Sequence, residues 1–160
     1  MYKIISLIII LYTIQVSATA QQLGAAVPNI TLNNSKDSAT SLHSYKGKVV
    51  LLDFWATWCK PCLQANVGFK KLYQKYASKG LEIFSVSVDV DIARWKSYIL
   101  TQKIPWVQVN DPGNWYAPTA VNWGIDALPT TFLIDKKGVL RYYNQEGKGL
   151  RTKIEQLLAE

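Results

Sequence analysis

The chain contains two cysteines, and both lie in the pentapeptide Trp58-Cys59-Lys60-Pro61-Cys62. A Cys-x-x-Cys pair can carry out thiol–disulfide exchange, form an inert disulfide, or bind a metal through its thiolates. Two cysteines cannot complete a four-thiolate zinc or iron–sulfur site, and the single histidine, His43, excludes multi-histidine metal sites. Redox chemistry without a metal or cofactor is therefore the leading hypothesis.

The segments that flank the pair predict how its sulfurs are positioned. Residues 49–56 form a near-continuous apolar run, typical of a strand covered on both faces, and residues 60–78 have helical spacing. Cys59 then falls at the helix N-terminus, where unpaired N–H groups and the helix dipole favour a thiolate. Cys62 lies one turn further on, within disulfide reach, and Pro61 fits the first turn. We expect Cys59 to attack a disulfide and Cys62 to resolve the mixed disulfide.

The remaining segments predict a mixed α/β chain. Apolar alternation predicts edge strands within residues 27–32, and further strands are predicted at 81–88, 106–109, 130–134 and 139–143. Helices are predicted at 91–99, 119–123 and 151–159. Alternating strands and helices of this kind favour a three-layer α/β sandwich with a mixed sheet.

Composition and charge limit the function classes. The chain has 160 residues, of which 49% are hydrophobic and 18% charged, which fits one globular domain and excludes collagen-like and largely disordered chains. The net charge of +7 comes from lysines spread along the sequence, with no cluster beyond pairs such as Lys70-Lys71. This pattern is typical of a solvated basic surface rather than a nucleic-acid interface.

The first twenty residues are typical of a secretory signal peptide. Lys3 precedes an apolar stretch at residues 4–16, and small residues follow before Gln21. The stretch is shorter than the ~20 residues of a transmembrane helix, although an uncleaved N-terminal anchor is the alternative. We therefore predict a signal peptide at 1–20, a single domain at 21–160, and a periplasmic or otherwise exported protein. Export would place the cysteine pair in an oxidising compartment.

Two groups of motifs indicate a family. The stretch Val50–Cys62 resembles the active-site strand and helix of thioredoxin-fold proteins, and residues 128–135, Leu-Pro-Thr-Thr-Phe-Leu-Ile-Asp, resemble a second motif of that fold. The leader, residues 28–32 and an extra helix–strand between Asp89 and Asn110 resemble the TlpA/ResA-like branch of bacterial thiol–disulfide oxidoreductases, over roughly residues 24–158.

The resemblance implies a fold, an activity and partners. The fold is a thioredoxin-like α/β/α sandwich with a mixed central sheet, N-terminal extension strands and an inserted helix–strand. The activity is reduction of protein disulfides. The implied partners are a disulfide-bonded protein substrate and a membrane or exported dithiol electron donor, and we expect a monomer.

The resemblance also implies a substrate-binding surface around the sulfurs. Pro129 corresponds to a cis-proline beside the pair, and it would turn the backbone of Leu128 toward an extended substrate that adds as a strand. Trp58, Lys60 and Pro61 would complete this surface. A separate aromatic concentration at Trp106, Trp115, Tyr116 and Trp123 is interpreted as core and loop packing, with a partner-binding wall as the alternative.

Asp53 is the one charge in an otherwise apolar strand. A buried carboxylate without a partner is costly, so such a group is usually protonated or functional. In thioredoxin the matching residue accepts a proton from the resolving cysteine, which implies the same role for Asp53 toward Cys62. Asp89, after the second predicted buried strand, is the alternative proton acceptor.

Two other functions remain as alternatives. A copper-binding metallochaperone could use the two thiolates, but residues 21–160 contain no methionine and only His43 as a further soft ligand. A peroxiredoxin-like thiol peroxidase would share the fold, but such enzymes resemble one another in a Thr three residues before the reactive cysteine, where this chain has Ala56.

Overall fold

A computed structural model describes residues 21–160 of the chain, so the predicted signal peptide at 1–20 lies outside the described residues. The strands are β1 (Thr31–Asn34), β2 (Ala39–Ser41), β3 (Val49–Trp55), β4 (Leu81–Ser87), β5 (Val107–Asn110), β6 (Thr130–Ile134) and β7 (Leu140–Tyr143). The α-helices are α1 (Lys60–Tyr76), α2 (Ile92–Thr101), α3 (Pro118–Asn122) and α4 (Gly147–Ala159). In this part of the chain no helix has both the length and the apolar character needed to cross a membrane.

The strands form one mixed sheet in the order β2-β1-β5-β4-β3-β6-β7. Strands β3, β4 and β5 are parallel to one another, whereas β6 runs antiparallel to β3. Every residue of β3 and β4 is buried, which explains why these segments read as apolar runs without alternation. The continuous apolar runs in the sequence therefore identified β3 and β4 as central strands that are covered on both faces of the sheet.

Helices cover both faces of the sheet. Val49 and Leu51 of β3 pack in one buried cluster with side chains of α1 and α4, including Phe69 and Ile154. The alternate residues Val50, Leu52 and Phe54 pack in the other cluster, which contains Trp95 of α2 and Ala120 of α3. The predicted three-layer α/β/α sandwich with a mixed central sheet is confirmed.

The added elements extend one edge of the sheet. The inserted helix–strand is α2 and β5, and β5 lies between β4 and β1. The hairpin of β1 and β2 forms the N-terminal extension and pairs antiparallel with β5. Both additions implied by the resemblance are present, on the side of the sheet away from β7.

Two predicted boundaries were wrong. Strand β1 begins only at Thr31, because the preceding segment pairs irregularly with the β6–β7 hairpin and Pro28 has no N–H to donate to a ladder. Helix α4 begins at Gly147 rather than at residue 151. Gly147 and Gly149 have low helix propensity, so they conceal its first turn in the sequence.

Candidate active site

The two cysteines occupy the start of α1, directly after the four-residue connection from β3. Cys59 is the N-cap residue, and its Sγ accepts a hydrogen bond of 3.2 Å from the backbone N–H of Cys62. The two sulfurs form a disulfide, with Cα atoms 5.3 Å apart. The predicted position of the pair at a strand–helix junction is confirmed, and the helix N-terminus directs its free N–H groups at Cys59.

The two sulfurs differ in exposure. Cys59 is 6% exposed and Cys62 only 1%. The neighbouring Trp58 is 43% exposed, and Lys60 and Pro61 also lie at the surface. A reactant from solution can therefore approach the pair from the side of Cys59, next to three of the five residues predicted to contact substrate.

Pro129 precedes β6, and its peptide bond with Leu128 is cis, as the resemblance implies. Both residues are half-buried, and Pro129 lines the same groove as Pro61 of the active-site helix. Within the described residues, the backbone N–H and C=O of Leu128 make no hydrogen bond. These groups are therefore free to pair with an extended polypeptide.

Asp53 lies in β3, fully buried, and belongs to a short chain of hydrogen bonds. The Ser85 hydroxyl donates to Asp53 Oδ2 over 3.1 Å, and Trp106 Nε1 donates to Ser85 Oγ over 2.9 Å. Because an indole N–H can only donate, it fixes the Ser85 hydrogen toward Asp53. Burial raises the pKa of Asp53 from 3.8 to about 7, and the Ser85 bond opposes that rise.

The second carboxyl oxygen of Asp53 has no partner. Oδ1 is buried and makes no hydrogen bond within the described residues, so it is the oxygen that can take a proton. Since Oδ2 already accepts the Ser85 hydrogen, a proton that arrives at Asp53 binds to Oδ1. The arrangement suits a group that gains and loses a proton near neutral pH.

Asp89, the alternative proton acceptor, has a different environment. Its carboxylate accepts the Thr57 N–H at 2.9 Å, the Thr57 hydroxyl at 2.7 Å and the Ser87 hydroxyl at 2.7 Å. Both of its oxygens are therefore engaged in holding the backbone two residues before Cys59. The geometry favours a structural role for Asp89 and leaves Asp53 as the acid with a free oxygen.

Sequence reasoning missed two buried polar residues. Ser85 contacts Asp53, as described above, and Asn66 lies one helical turn after Cys62, 3% exposed. The Asn66 Nδ2 atom has no hydrogen-bond partner within residues 21–160. Asn66 could have been found as a polar residue on the helix face that also presents the buried Cys62, Phe69 and Tyr76.

The aromatic residues Trp106, Trp115, Tyr116 and Trp123 do not form one wall. Trp106 and Trp123 are buried on opposite faces of the sheet, as the packing interpretation predicted. Trp115 and Tyr116, in contrast, are 44% and 87% exposed, so packing does not account for them. The Trp115 ring contacts the Trp58 ring with centroids 5.8 Å apart, which extends the aromatic surface next to Cys59.

Metal ligands do not cluster around the pair. Within residues 21–160, no group of three or more His, Cys, Asp or Glu side chains could hold a metal ion. His43 is instead placed against the N-terminal segment, with its Nε2 atom 3.1 Å from the backbone oxygen of Val27.

Comparison with known proteins places the chain in a family. A protein-family model described as the AhpC/TSA family matches residues 23–143. The chain belongs to the AhpC/TSA family. Among curated proteins, it is 36% identical over 136 residues to thiol-disulfide oxidoreductase ResA of Bacillus thuringiensis subsp. konkukian, covering 85% of this chain and 75% of ResA. It is 32% identical to the thioredoxin-like protein YneN of Bacillus subtilis, covering 75% of this chain and 69% of YneN.

Solved structures are similar over nearly the whole described chain. A thiol-disulfide oxidoreductase from Bacteroides fragilis superposes with a TM-score of 0.76 at 29% identity, covering 83% of this chain and 99% of that one. A thiol:disulfide interchange protein from Bacteroides sp. gives 0.77 at 29% identity, covering 88% and 93%. With its close Cys59–Cys62 pair, this member of the AhpC/TSA family is a thiol–disulfide oxidoreductase.

In this AhpC/TSA protein, loss of the Ser85 hydrogen bond is expected to change the pKa of Asp53. Ser85→Ala removes a donor that stabilises the ionised form of Asp53, so the pKa of Asp53 rises above its value of about 7. A hydrogen bond to a charged group contributes about 1.5 kcal/mol or more, so its loss is expected to raise the pKa of Asp53 by about one. NMR titration of the Asp53 carboxyl measures it.

Ser87→Ala is the matched control for this prediction. Ser87 lies on the same strand but donates to Asp89 rather than to Asp53, so its removal leaves the Asp53 titration in place. An unchanged Asp53 titration in Ser85→Ala, or an equal shift in both variants, contradicts a direct role of the Ser85 hydroxyl.

Proposed function

We propose that the protein is an exported reductase of protein disulfides that works through Cys59, Cys62 and Asp53. The observation that carries the proposal is the placement of Cys59 at the N-cap of α1, more exposed than Cys62 and within hydrogen-bond reach of the helix N–H groups. That placement favours ionisation of Cys59 and its attack on an incoming disulfide.

The first step forms a mixed disulfide. The Cys59 thiolate attacks one sulfur of the client disulfide, the client S–S bond breaks, and the second client sulfur leaves as a thiolate that takes a proton from water. In this step Trp58, the chain neighbour of Cys59, and the unpaired backbone groups of Leu128 orient the client segment that carries the target bond.

The second step releases the reduced client. Cys62 gives its proton to Oδ1 of Asp53 and attacks the Cys59 sulfur, the bond to the client breaks, and the client sulfur leaves as a thiolate that takes a proton from water. The client then carries two thiols. Two electrons have then passed from the dithiol to the client, and the enzyme is left with the Cys59–Cys62 disulfide seen in the structure. An exported or membrane-bound dithiol protein returns the two electrons.

The Asp53 environment supports the proton transfer. Its pKa of about 7 allows it to accept a proton when ionised and to release it again near neutral pH. The oxygens of Asp89 instead accept hydrogen bonds from Thr57 and Ser87.

The proposed location rests on the N-terminal leader. Residues 1–20 combine a basic start, an apolar stretch and small residues before Gln21. N-terminal sequencing of the protein recovered from its native host is expected to begin at Gln21. A protein that retains Met1 would instead favour the uncleaved anchor. A monomer is expected in both cases.

Reduction of insulin with a dithiol donor tests the direction of the reaction. The protein is expected to accelerate insulin precipitation above the rate with dithiothreitol alone, and its potential is expected to lie below about −200 mV, among reducing thioredoxin-like proteins. A potential near −120 mV, the value of strong oxidants, would reverse the proposed direction. Peroxide consumption no faster than that of free thiols would separate the enzyme from a thiol peroxidase.

A further inference from the structure

A groove of about 720 Å³ runs from the active site along the outer face of the sandwich. It begins at Pro61 and Pro129, follows one side of α1 as far as Tyr76, and is closed on the other side by the first turn of α4. Its volume lies within the range of about 300–1,000 Å³ that is typical of ligand sites. At about 1.5 Å per helical residue the groove is about 22 Å long, enough for roughly seven residues of extended chain.

The floor of the groove is apolar and contains a glycine that the backbone does not require. Ala65, Phe69, Leu72 and Leu150 line it. Gly68 also lines it, in the middle of α1, where glycine weakens a helix relative to alanine. Its φ angle is not among the positive values, and a Cβ at this position would meet no atom within 4 Å. Glycine therefore keeps this part of the groove open at a cost to the helix.

The rim of the groove is basic. Lys71 and Lys75 on α1 face Lys148 and Arg151 on α4, against one lining carboxylate, Glu146. Glu155 lies nearby and pairs with Lys75 at 3.4 Å and with Arg151 at 3.7 Å. Lys71 and Lys148 have no ion-pair partner among residues 21–160, so two cations remain available to an incoming anion.

We propose that this α1–α4 groove binds an acidic, extended segment of the disulfide-bonded client polypeptide. The proposal rests on the proposed function, because the groove begins at Pro61, which lies between the two cysteines in sequence, and at Pro129, which follows the unpaired backbone groups of Leu128 where the client chain would pair. Apolar client side chains pack on the floor, and client carboxylates lie against Lys71 and Lys148. The groove thereby selects clients with negative charge near the reactive disulfide.

The test compares disulfide peptides that differ only in charge. One cyclic peptide carries Asp and Glu in the segments flanking its disulfide, the second carries Asn and Gln at the same positions, and hydroxyethyl disulfide serves as a small neutral substrate. Single-turnover reduction by the reduced full-length protein is measured at low and high salt. The acidic peptide is expected to react about five- to tenfold faster than its amide counterpart at low salt, with the difference reduced at high salt.

Two groove variants and one control locate the effect. Lys71→Gln combined with Lys148→Gln abolishes the preference for the acidic peptide, and Gly68→Leu slows both peptides several-fold by filling the groove. Both leave the rate with hydroxyethyl disulfide unchanged, which shows that the site itself is folded. Lys36→Gln combined with Lys137→Gln removes the same net charge from exposed positions outside the groove and keeps the preference.

Equal rates for the two peptides with the unmodified protein, or an equal loss of preference in the groove and control variants, would overturn the groove assignment while leaving the reductase in place. Failure to reduce hydroxyethyl disulfide and both peptides would contradict the proposed function, and the groove assignment with it.

Discussion

Replacing Cys59 by Ser is expected to lower the rate of disulfide reduction by about a thousandfold or more, because no other residue can supply the attacking thiolate. The chain has only one other thiol, Cys62, which is 1% exposed and lies within the first turn of α1. Steady-state reduction of insulin and of a small disulfide measures the loss. Comparable activity in Cys59→Ser would show that Cys62 can attack directly.

Cys62→Ser is the matched comparison, since each substitution removes one sulfur and the same disulfide. Its steady-state rate is also expected to fall, because the mixed disulfide on Cys59 has no internal thiol to resolve it. Its first attack remains, so one client thiolate is released per enzyme in a burst. The two variants therefore differ in the first turnover even though both have lost catalysis over many turnovers.

Asp53→Asn is expected to stabilise the oxidised protein at alkaline pH, although it removes a buried hydrogen-bonded group. The pKa of the Asp53 carboxyl is about 7 in the folded protein and 3.8 in ordinary solvent, so folding favours the protonated form of this group. The native state therefore binds more protons than the unfolded state between these values, and the free energy of unfolding falls as the pH rises through them. Above about pH 7, the difference between the two pKa values lowers the free energy of unfolding by about 4 kcal/mol.

Denaturant unfolding at about pH 4 and about pH 8 measures this effect. From about pH 4 to about pH 8, the free energy of unfolding of the variant is expected to rise by about 4 kcal/mol relative to that of the unmodified protein. Because the packing cost of the amide is the same at both pH values, it cancels in this comparison. Thr131→Ser is the control, because Thr131 is also buried and pairs with Asp53 across β3 and β6 but does not titrate, so its effect is expected to be the same at both pH values. A pH-independent difference for Asp53→Asn would contradict the raised pKa.

The local part of the site could be predicted from the sequence. Cys59, Cys62 and Pro61 lie within four residues, and their geometry follows from one strand–helix junction that the apolar run and the helical spacing both indicate. The resemblance added Pro129, whose cis peptide bond the residues alone do not predict. The structure brings this proline to the groove that Pro61 also lines.

The long-range part of the site could not be predicted. Asp53 meets Ser85 because β3 and β4 pair in a parallel register that aligns these two residues, and neither strand contains a signal for that register. Trp106 then reaches Ser85 from beyond α2. The same holds for Asp89, since its hydrogen bonds to Thr57 depend on how the loop after β4 packs against the end of β3.

The groove was also beyond sequence reasoning. Gly68 is visible as a glycine within a helical pattern, but the space beside it depends on the separation between α1 and α4. The basic residues that line it come from two helices far apart in sequence, so the charge appears scattered until the fold brings them together. The net charge of +7 thus includes a local concentration along the groove that begins at the active site.

Trapping of the mixed disulfide tests the central claim most directly, namely that Cys59 attacks and Cys62 resolves. Reduced Cys62→Ser and Cys59→Ser proteins are each mixed with a disulfide-bonded peptide, quenched with acid and analysed by mass spectrometry after proteolysis. The account predicts a stable adduct on Cys59 in the Cys62→Ser protein and little or none on Cys62 in the Cys59→Ser protein. An adduct that forms on Cys62 as fast as on Cys59, or no adduct on Cys59, would contradict it.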